Sequence, residues 1–241
     1  MVEEKPVSNN HPNWLFDESG QVGVDYSDED LVSDYDKHHE GFRDFDQEAQ
    51  KIFTALGLSL DSIVLDIGCG TGGLTTRIAQ MCKHVYAVDI SKAMIDALAC
   101  KIQTQGLNNI TTVQSGFLTY QHQGGALDAI VANITLHHLP DFWKQIALCK
   151  LYDILKPGGR MFLADVVFGF DPRTYRKTIE DWLASMETLA GQNMAEETAT
   201  HVRDEFSTWE WIMKGMLKRA GFRIDHSFEI IKHMHAYICS K

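Results

Sequence analysis

The sequence predicts an α/β fold built on a doubly wound, mostly parallel sheet, and three observations predict it. Short apolar runs recur (SIVLDIG, HVYAVDI, LDAIVAN, RMFLADVV), segments of helical period separate them, and the first run ends in a glycine-rich turn, VLDIGCGTGGLT. Strands that alternate with helices need crossover connections. Such crossovers are right-handed and lay helices on both faces of a parallel sheet.

The elements follow in order. From Phe42 to Leu56 the apolar positions Phe42, Phe45, Ala49, Ile52, Phe53 and Leu56 keep helical spacing, and Gly57 stops the helix. SIVLDIG is a buried strand, and Leu74 to Cys82 a helix with Leu74, Ile78 and Met81 on its apolar side. HVYAVDI is the second strand. Ser91 caps the next helix, whose face carries Met94, Ile95, Leu98 and Ile102. ITTVQ and LDAIVAN are the third and fourth strands. Asp141 stands ready to cap FWKQIALCKLYDIL, after which Pro-Gly-Gly turns the chain into RMFLADVV, the fifth strand.

Between Asp171 and Phe206 no strand pattern occurs. Tyr175, Ile179, Trp182, Leu183, Met186 and Leu189 share one helical face, so an inserted helical layer is expected. Trp182, Trp209 and Trp211 suit core or interface positions better than an aromatic cage. Ser207 and Glu210 make a capping-box pair ahead of WEWIMKGMLKRA, which Gly221 closes. FRIDHSFEII and HAYICSK are near enough to pair as an antiparallel hairpin at the sheet edge.

Composition narrows the function. A chain of 241 residues can bury a substantial core as one domain. No apolar run reaches the about 18 residues that cross a bilayer, and the first residues lack the order of a secretory signal, so no membrane partner is expected. Five scattered cysteines without a CxxC pair argue against a zinc knuckle or disulfide framework and fit a reducing cytoplasm. A net charge of -11 opposes phosphate backbones, so nucleic acid is not an expected partner. His38 with His39, and His233 with His235, lack supporting Cys or carboxylate spacing; they are expected as surface or edge-strand histidines, and no metal is expected.

The glycine turn is the informative stretch. In an open parallel sheet, ligands bind beyond the carboxyl ends of the strands where the winding reverses. Gly68, Gly70 and Gly73 satisfy G-x-G-x-x-G, which alone suits a nicotinamide or flavin dinucleotide. Asp89, ending the second strand, would accept ribose hydroxyls in either cofactor class. Asp66 discriminates. A carboxylate at the entrance repels a pyrophosphate and attracts the ammonium and sulfonium of S-adenosylmethionine.

LDIGCGTG, the acid in VDIS, LHHL after the fourth strand and LKPGG before the fifth resemble the class I S-adenosylmethionine-dependent methyltransferases over roughly residues 42–167. The resemblance implies a Rossmann-like sheet of seven strands with a terminal antiparallel strand. It implies that Asp66 and the turn Gly68, Cys69, Gly70, Thr71, Gly72 hold the methionine portion and that Asp89 holds the ribose. The family's adenine-reading acid is replaced here by Gly116, so adenine recognition falls to Gly116 and Phe117, with packing from Ile90 and Met94. Asn133 opens the NITLHHL segment at the cavity floor. His137 is the candidate facing substrate, as a base for a hydroxyl or thiol; the alternative is that one of His137 and His138 caps a turn and the other packs in the core. Asp165 is a second candidate substrate contact or else a buried hydrogen-bonded acid, and Tyr26, Tyr35 and His38 are a candidate lid or else part of a solvated helix.

The resulting expectation is one domain over 1–241: an N-terminal helical lid (1–56), a cofactor-binding core (57–168), a helical substrate cap (169–206), and a last helix with a hairpin (207–241). Its activity is methyl transfer to a small-molecule acceptor. The alternatives are an NAD(P)-dependent oxidoreductase on the same turn and a non-catalytic nucleoside-binding module.

Overall fold

The computed structural model describes residues 12–20, 22–23, 32 and 43–241. Tyr26, Tyr35, His38 and Phe42 lie outside the described residues.

The first helix, α1 (Phe45–Leu56), is capped by the Asp44 carboxylate, which accepts the Gln47 N–H, and it ends at Gly57 in the left-handed conformation. The sheet then alternates with helices. The strands are β1 (Ile63–Ile67), β2 (His84–Asp89), β3 (Ile110–Gln114), β4 (Leu127–Asn133) and β5 (Leu155–Phe168). Between them run α2 (Thr75–Ala79), α3 (Lys92–Gln105) and α4 (Asp141–Ile154). Two cap helices follow, α5 (Tyr175–Ala190) and α6 (Gln192–Asp204). After them come β6 (Thr208–Trp209), α7 (Glu210–Ala220), β7 (Arg223–Ile231) and β8 (Met234–Ser240).

The strand order is β3-β2-β1-β4-β5-β8-β7, with β6 paired to β5 off this path. All pairs up to β4–β5 are parallel, and β8 is antiparallel to both β5 and β7. Winding reverses between β1 and β4, which puts the glycine turn after β1 and the segment after β4 side by side. Successive residues of the central strands feed opposite cores, as burial on both faces requires. Leu65, Ile67, Ile130 and Ala132 pack with α4 and α7, whereas Val64, Ala129 and Val131 pack with α1 and α2. Among the described residues no helix is long and apolar enough to cross a membrane.

Several boundaries differ from expectation. The main path supplies the seven expected strands, and Thr208 and Trp209 add a short eighth off it by pairing with Val167 and Phe168. That pairing keeps the chain extended through Trp209, so Ser207 cannot cap α7; its hydroxyl meets His201 Nε2 at 2.8 Å. Asp141 is not a cap either. Pro140 holds that position, and the Asp141 carboxylate takes Lys144 Nζ at 2.8 Å and the Thr208 hydroxyl at 3.0 Å. The Pro-Gly-Gly turn lies inside β5: Leu155 faces Leu127 and Arg160 faces Ala129, so the residues between them bulge, with Gly158 at φ +76°. The helix expected through Cys82 stops at Ala79, since Lys83 N–H must reach Ser62 O to start β2. His233 and His235 are buried, not surface residues. His235 Nδ1 lies 2.9 Å from Val167 O, and the His233 ring stacks on Trp182 at 3.6 Å. Trp209 packs between Phe168 and Phe170, and Trp211 is exposed.

Candidate functional site

One cavity runs across the carboxyl ends of the strands at the β1/β4 switch point. Gly68, Gly70, Asp89, Ile90, Met94, Gly116, Phe117 and His137 line it, so eight of the residues singled out from the sequence meet there. Its far wall comes from the cap, through Trp182, Met186, His201 and Glu205.

The turn is shaped for close approach. Gly68, Gly70 and Gly72 have φ values of +70°, +54° and +82°, which side chains rarely tolerate. A Cβ at Gly68 would strike Thr135, and one at Gly72 would strike Leu98. A Cβ at Gly70 would meet nothing within 4 Å, so this residue presents bare backbone to the cavity. Asp89 braces the turn: its carboxylate accepts the Gly70 N–H at 2.8 Å and the Ser91 N–H at 2.9 Å. Burial raises its pKa, partly offset by these N–H donors. A carboxylate has about four lone-pair sites, so acceptor capacity remains for a diol.

Asp66, Cys69, Thr71, Gly72, Asn133 and Asp165 are not among the lining residues. Asp66 is therefore not at the mouth of the turn. Strand pairing to Ala87 and Val131 fixes it within the sheet, and its carboxylate accepts the Thr75 hydroxyl at 2.5 Å. Burial pushes its pKa up to about 6, against the Thr75 bond and helped by the charge of Asp89. Its charge acts from behind the turn. Asn133 ends β4 opposite Ala164. The next residue, Ile134, has φ +57° and lines the cavity; among the described residues no other non-glycine residue has positive φ.

His137 and Asp165 are brought together, and sequence reasoning had not paired them. The Asp165 carboxylate takes His137 Nδ1 at 2.5 Å, the His137 main-chain N–H at 3.1 Å and the Val166 N–H at 2.7 Å. His137 Nε2 faces Glu205 Oε2 at 3.3 Å. Burial alone would lower the His137 pKa, but Asp165 and Glu205 carry it upward, and the Asp165 pKa falls in return. His138, beside it, is pushed down to about 3 by burial and by the charge of His137.

Two residues had escaped the sequence. Glu205 ends the cap, shared between His137 and His201. Glu18 reaches from the N-terminal segment so that both its oxygens accept the Leu118 N–H, at 3.0 and 2.9 Å. A Cβ added to Gly116 would meet the Glu18 carboxylate at 2.5 Å. The acid missing at position 116 is thus supplied through space. Burial raises its pKa, moderated by the Leu118 and Thr119 donors.

The donor set fits S-adenosylmethionine: a bare-backbone cradle at Gly70, an acid behind it for the cationic end, Asp89 for a diol, and an acid at Gly116 for an amino group. Comparison with known proteins agrees. A family model described as a methyltransferase domain matches residues 64–159. An uncharacterized methyltransferase of Bacillus cytotoxicus is 30% identical over 161 residues, covering 67% of this chain and 69% of that protein. One of Geobacillus kaustophilus is 29% identical over 157 residues, covering 64% and 71%. The fold is shared with a methyltransferase of Aquifex aeolicus dependent on the same donor (TM-score 0.62, 19% identity, 88% and 98% covered). It is also shared with one from Clostridium acetobutylicum (TM-score 0.64, 14% identity, 88% and 97% covered). The chain belongs to the class I S-adenosylmethionine-dependent methyltransferases, enzymes whose methyl donor is S-adenosylmethionine.

Proposed function

We propose that the enzyme methylates a small-molecule acceptor, held between the glycine turn and the α5–α6 cap, by in-line displacement. The observation that carries this reading is the continuity of one cavity from Gly70 and Asp89 to Trp182, His201 and Glu205. A helical layer over that opening suits a small acceptor. The acidic net charge of -11 points the same way.

S-adenosylmethionine supplies an electrophilic methyl carbon on a cationic sulfur. In this reading the backbone of Gly68 and Gly70 holds its methionine portion, with the charge of Asp66 acting from behind the turn, and Asp89 holds its ribose. Gly116 and Phe117, with Glu18, receive the adenine, packed by Ile90 and Met94, while Ile134, just after Asn133, closes the floor. His137, oriented by Asp165, walls the acceptor side. Residues 169–206 then serve as the acceptor-binding cap of a single domain. Their contribution is positioning and exclusion of water, which can lower a barrier by about 7–11 kcal/mol when nucleophile, carbon and leaving group are aligned.

The test incubates the enzyme with methyl-labelled S-adenosylmethionine and a cell extract separated into low-mass, protein and nucleic-acid fractions. Enzyme-dependent label is expected in a low-mass product chromatographically distinct from the donor. Label confined to protein or nucleic acid would overturn the small-molecule reading.

A further inference from the structure

The acceptor end of the cavity carries more ligand chemistry than methyl transfer by positioning requires. A 3-10 turn, Leu136–His138, presents two successive imidazoles whose rings lie 4.3 Å apart. The end of α6 brings His201, its ring 4.7 Å from that of His137, and Glu205 follows. The side chains of His137 and Glu205 are 4 % and 2 % exposed.

The hydrogen bonds at His137 fix its orientation. Asp165 accepts from a main-chain N–H with each oxygen and from the ring at Nδ1, 2.5 Å away, so the proton of that contact lies on Nδ1. The opposite nitrogen, Nε2, points at Glu205 Oε2 across 3.3 Å. That carboxylate oxygen draws positive charge, and it also meets His201 Nδ1. A proton serves only two groups at a time. Here a third converges: one ligand atom from each of His137, His138 and Glu205 lies within 4.8 Å of the others. Bonds of about 2.0–2.2 Å around one ion put neighbouring ligand atoms roughly 3–4 Å apart, so small side-chain rotations close the set.

We propose that His137, His138 and Glu205 form a binding site for a divalent transition-metal ion, with Asp165 as the outer carboxylate that orients His137. A carboxylate on the far nitrogen of a ligating histidine is the usual support for such a ligand. Two imidazoles and one carboxylate suit borderline ions of the zinc, cobalt and iron(II) class and leave coordination positions open. Those positions face the cavity that also holds the Gly70 cradle. Resting on the transferase reading, the site narrows the acceptor to a molecule with an oxygen able to coordinate the ion.

The test strips the protein with chelator, saturates it with S-adenosylhomocysteine and titrates it with Co2+, following visible d–d absorption. One equivalent per chain is expected. His138→Ala and Glu205→Gln should each weaken Co2+ binding by about tenfold or more, whereas His226→Ala, at an exposed position on β7, should not change it. Retained S-adenosylhomocysteine affinity in the two ligand variants shows that they are folded. Absence of stoichiometric d–d absorption, or unchanged Co2+ affinity in both variants, overturns the site. Co2+ binding by a parent protein that fails to bind S-adenosylhomocysteine upholds the metal site and overturns only the donor reading.

Discussion

Asp66 holds a proton more tightly in the folded chain than in the unfolded one, because burial outweighs its bond to Thr75. Stability from that proton is present below the unfolded pKa and is lost as pH rises through about 6. Keeping the acid ionised at neutral pH costs on the order of 3 kcal/mol, and a cationic ligand can offset it. S-adenosylmethionine affinity should therefore fall below pH 6, by at most about tenfold per unit, and Asp66→Asn should flatten that profile in calorimetric titrations. A flat profile from pH 7 to 5 in the parent protein would remove the acid from donor binding. Glu18 gives a second test. Glu18→Ala should weaken S-adenosylhomocysteine binding by about 1–3 kcal/mol and narrow its preference over the inosyl analogue, which carries a keto group for the amino group. Equal discrimination in both proteins would make Glu18 a brace for Leu118 alone. Asp89 and His137 were legible because each sits in a run whose pattern locates it; the same pattern marked Asp66 but put it at the entrance instead of behind the turn. Glu18 was not: nearly a hundred residues separate it from Gly116, and no local period marks it. Glu205 was hidden for a similar reason, among the polar residues that close an exposed helix.

At the scale of elements, the strands were readable because burial on both faces makes them continuous apolar runs. Caps were less so. Asp141 and Ser207 have capping side chains, but a proline and a pairing with β5 took the positions first. The glycine turn was legible as a ligand feature, yet its glycines do different work, and only geometry separates them. Gly70 opens to the cavity, whereas Gly72 makes room for Leu98 of α3. Gly72→Ala should destabilise the fold by about 1–3 kcal/mol through overpacking and a strained backbone, measured by denaturant unfolding, and should cost less in a Leu98→Ala background than in the parent. Full parental stability in the single variant would show that α3 yields without cost.

For the whole molecule, the donor cleft sits at the junction of both cores, so its occupancy should register as global stability. S-adenosylhomocysteine at a hundred times its Kd should add about 2.7 kcal/mol, a rise in Tm of roughly 5–11 °C for a chain of this size. NAD(H) at the same concentration should leave Tm unchanged; an equal rise with it would put a dinucleotide back in contention. The α/β layering and switch point followed from alternation alone, while the cap, with Tyr175 and Leu189 exposed and no residue of α5 fully buried, showed its period but not its partners. Ile134, a β-branched residue at φ +57° between β4 and the histidine turn, spends about 1–3 kcal/mol on an awkward backbone. Replacing it with glycine would relieve that strain while freeing the unfolded chain and loosening the reaction chamber, so heat tolerance should change little and turnover should slow.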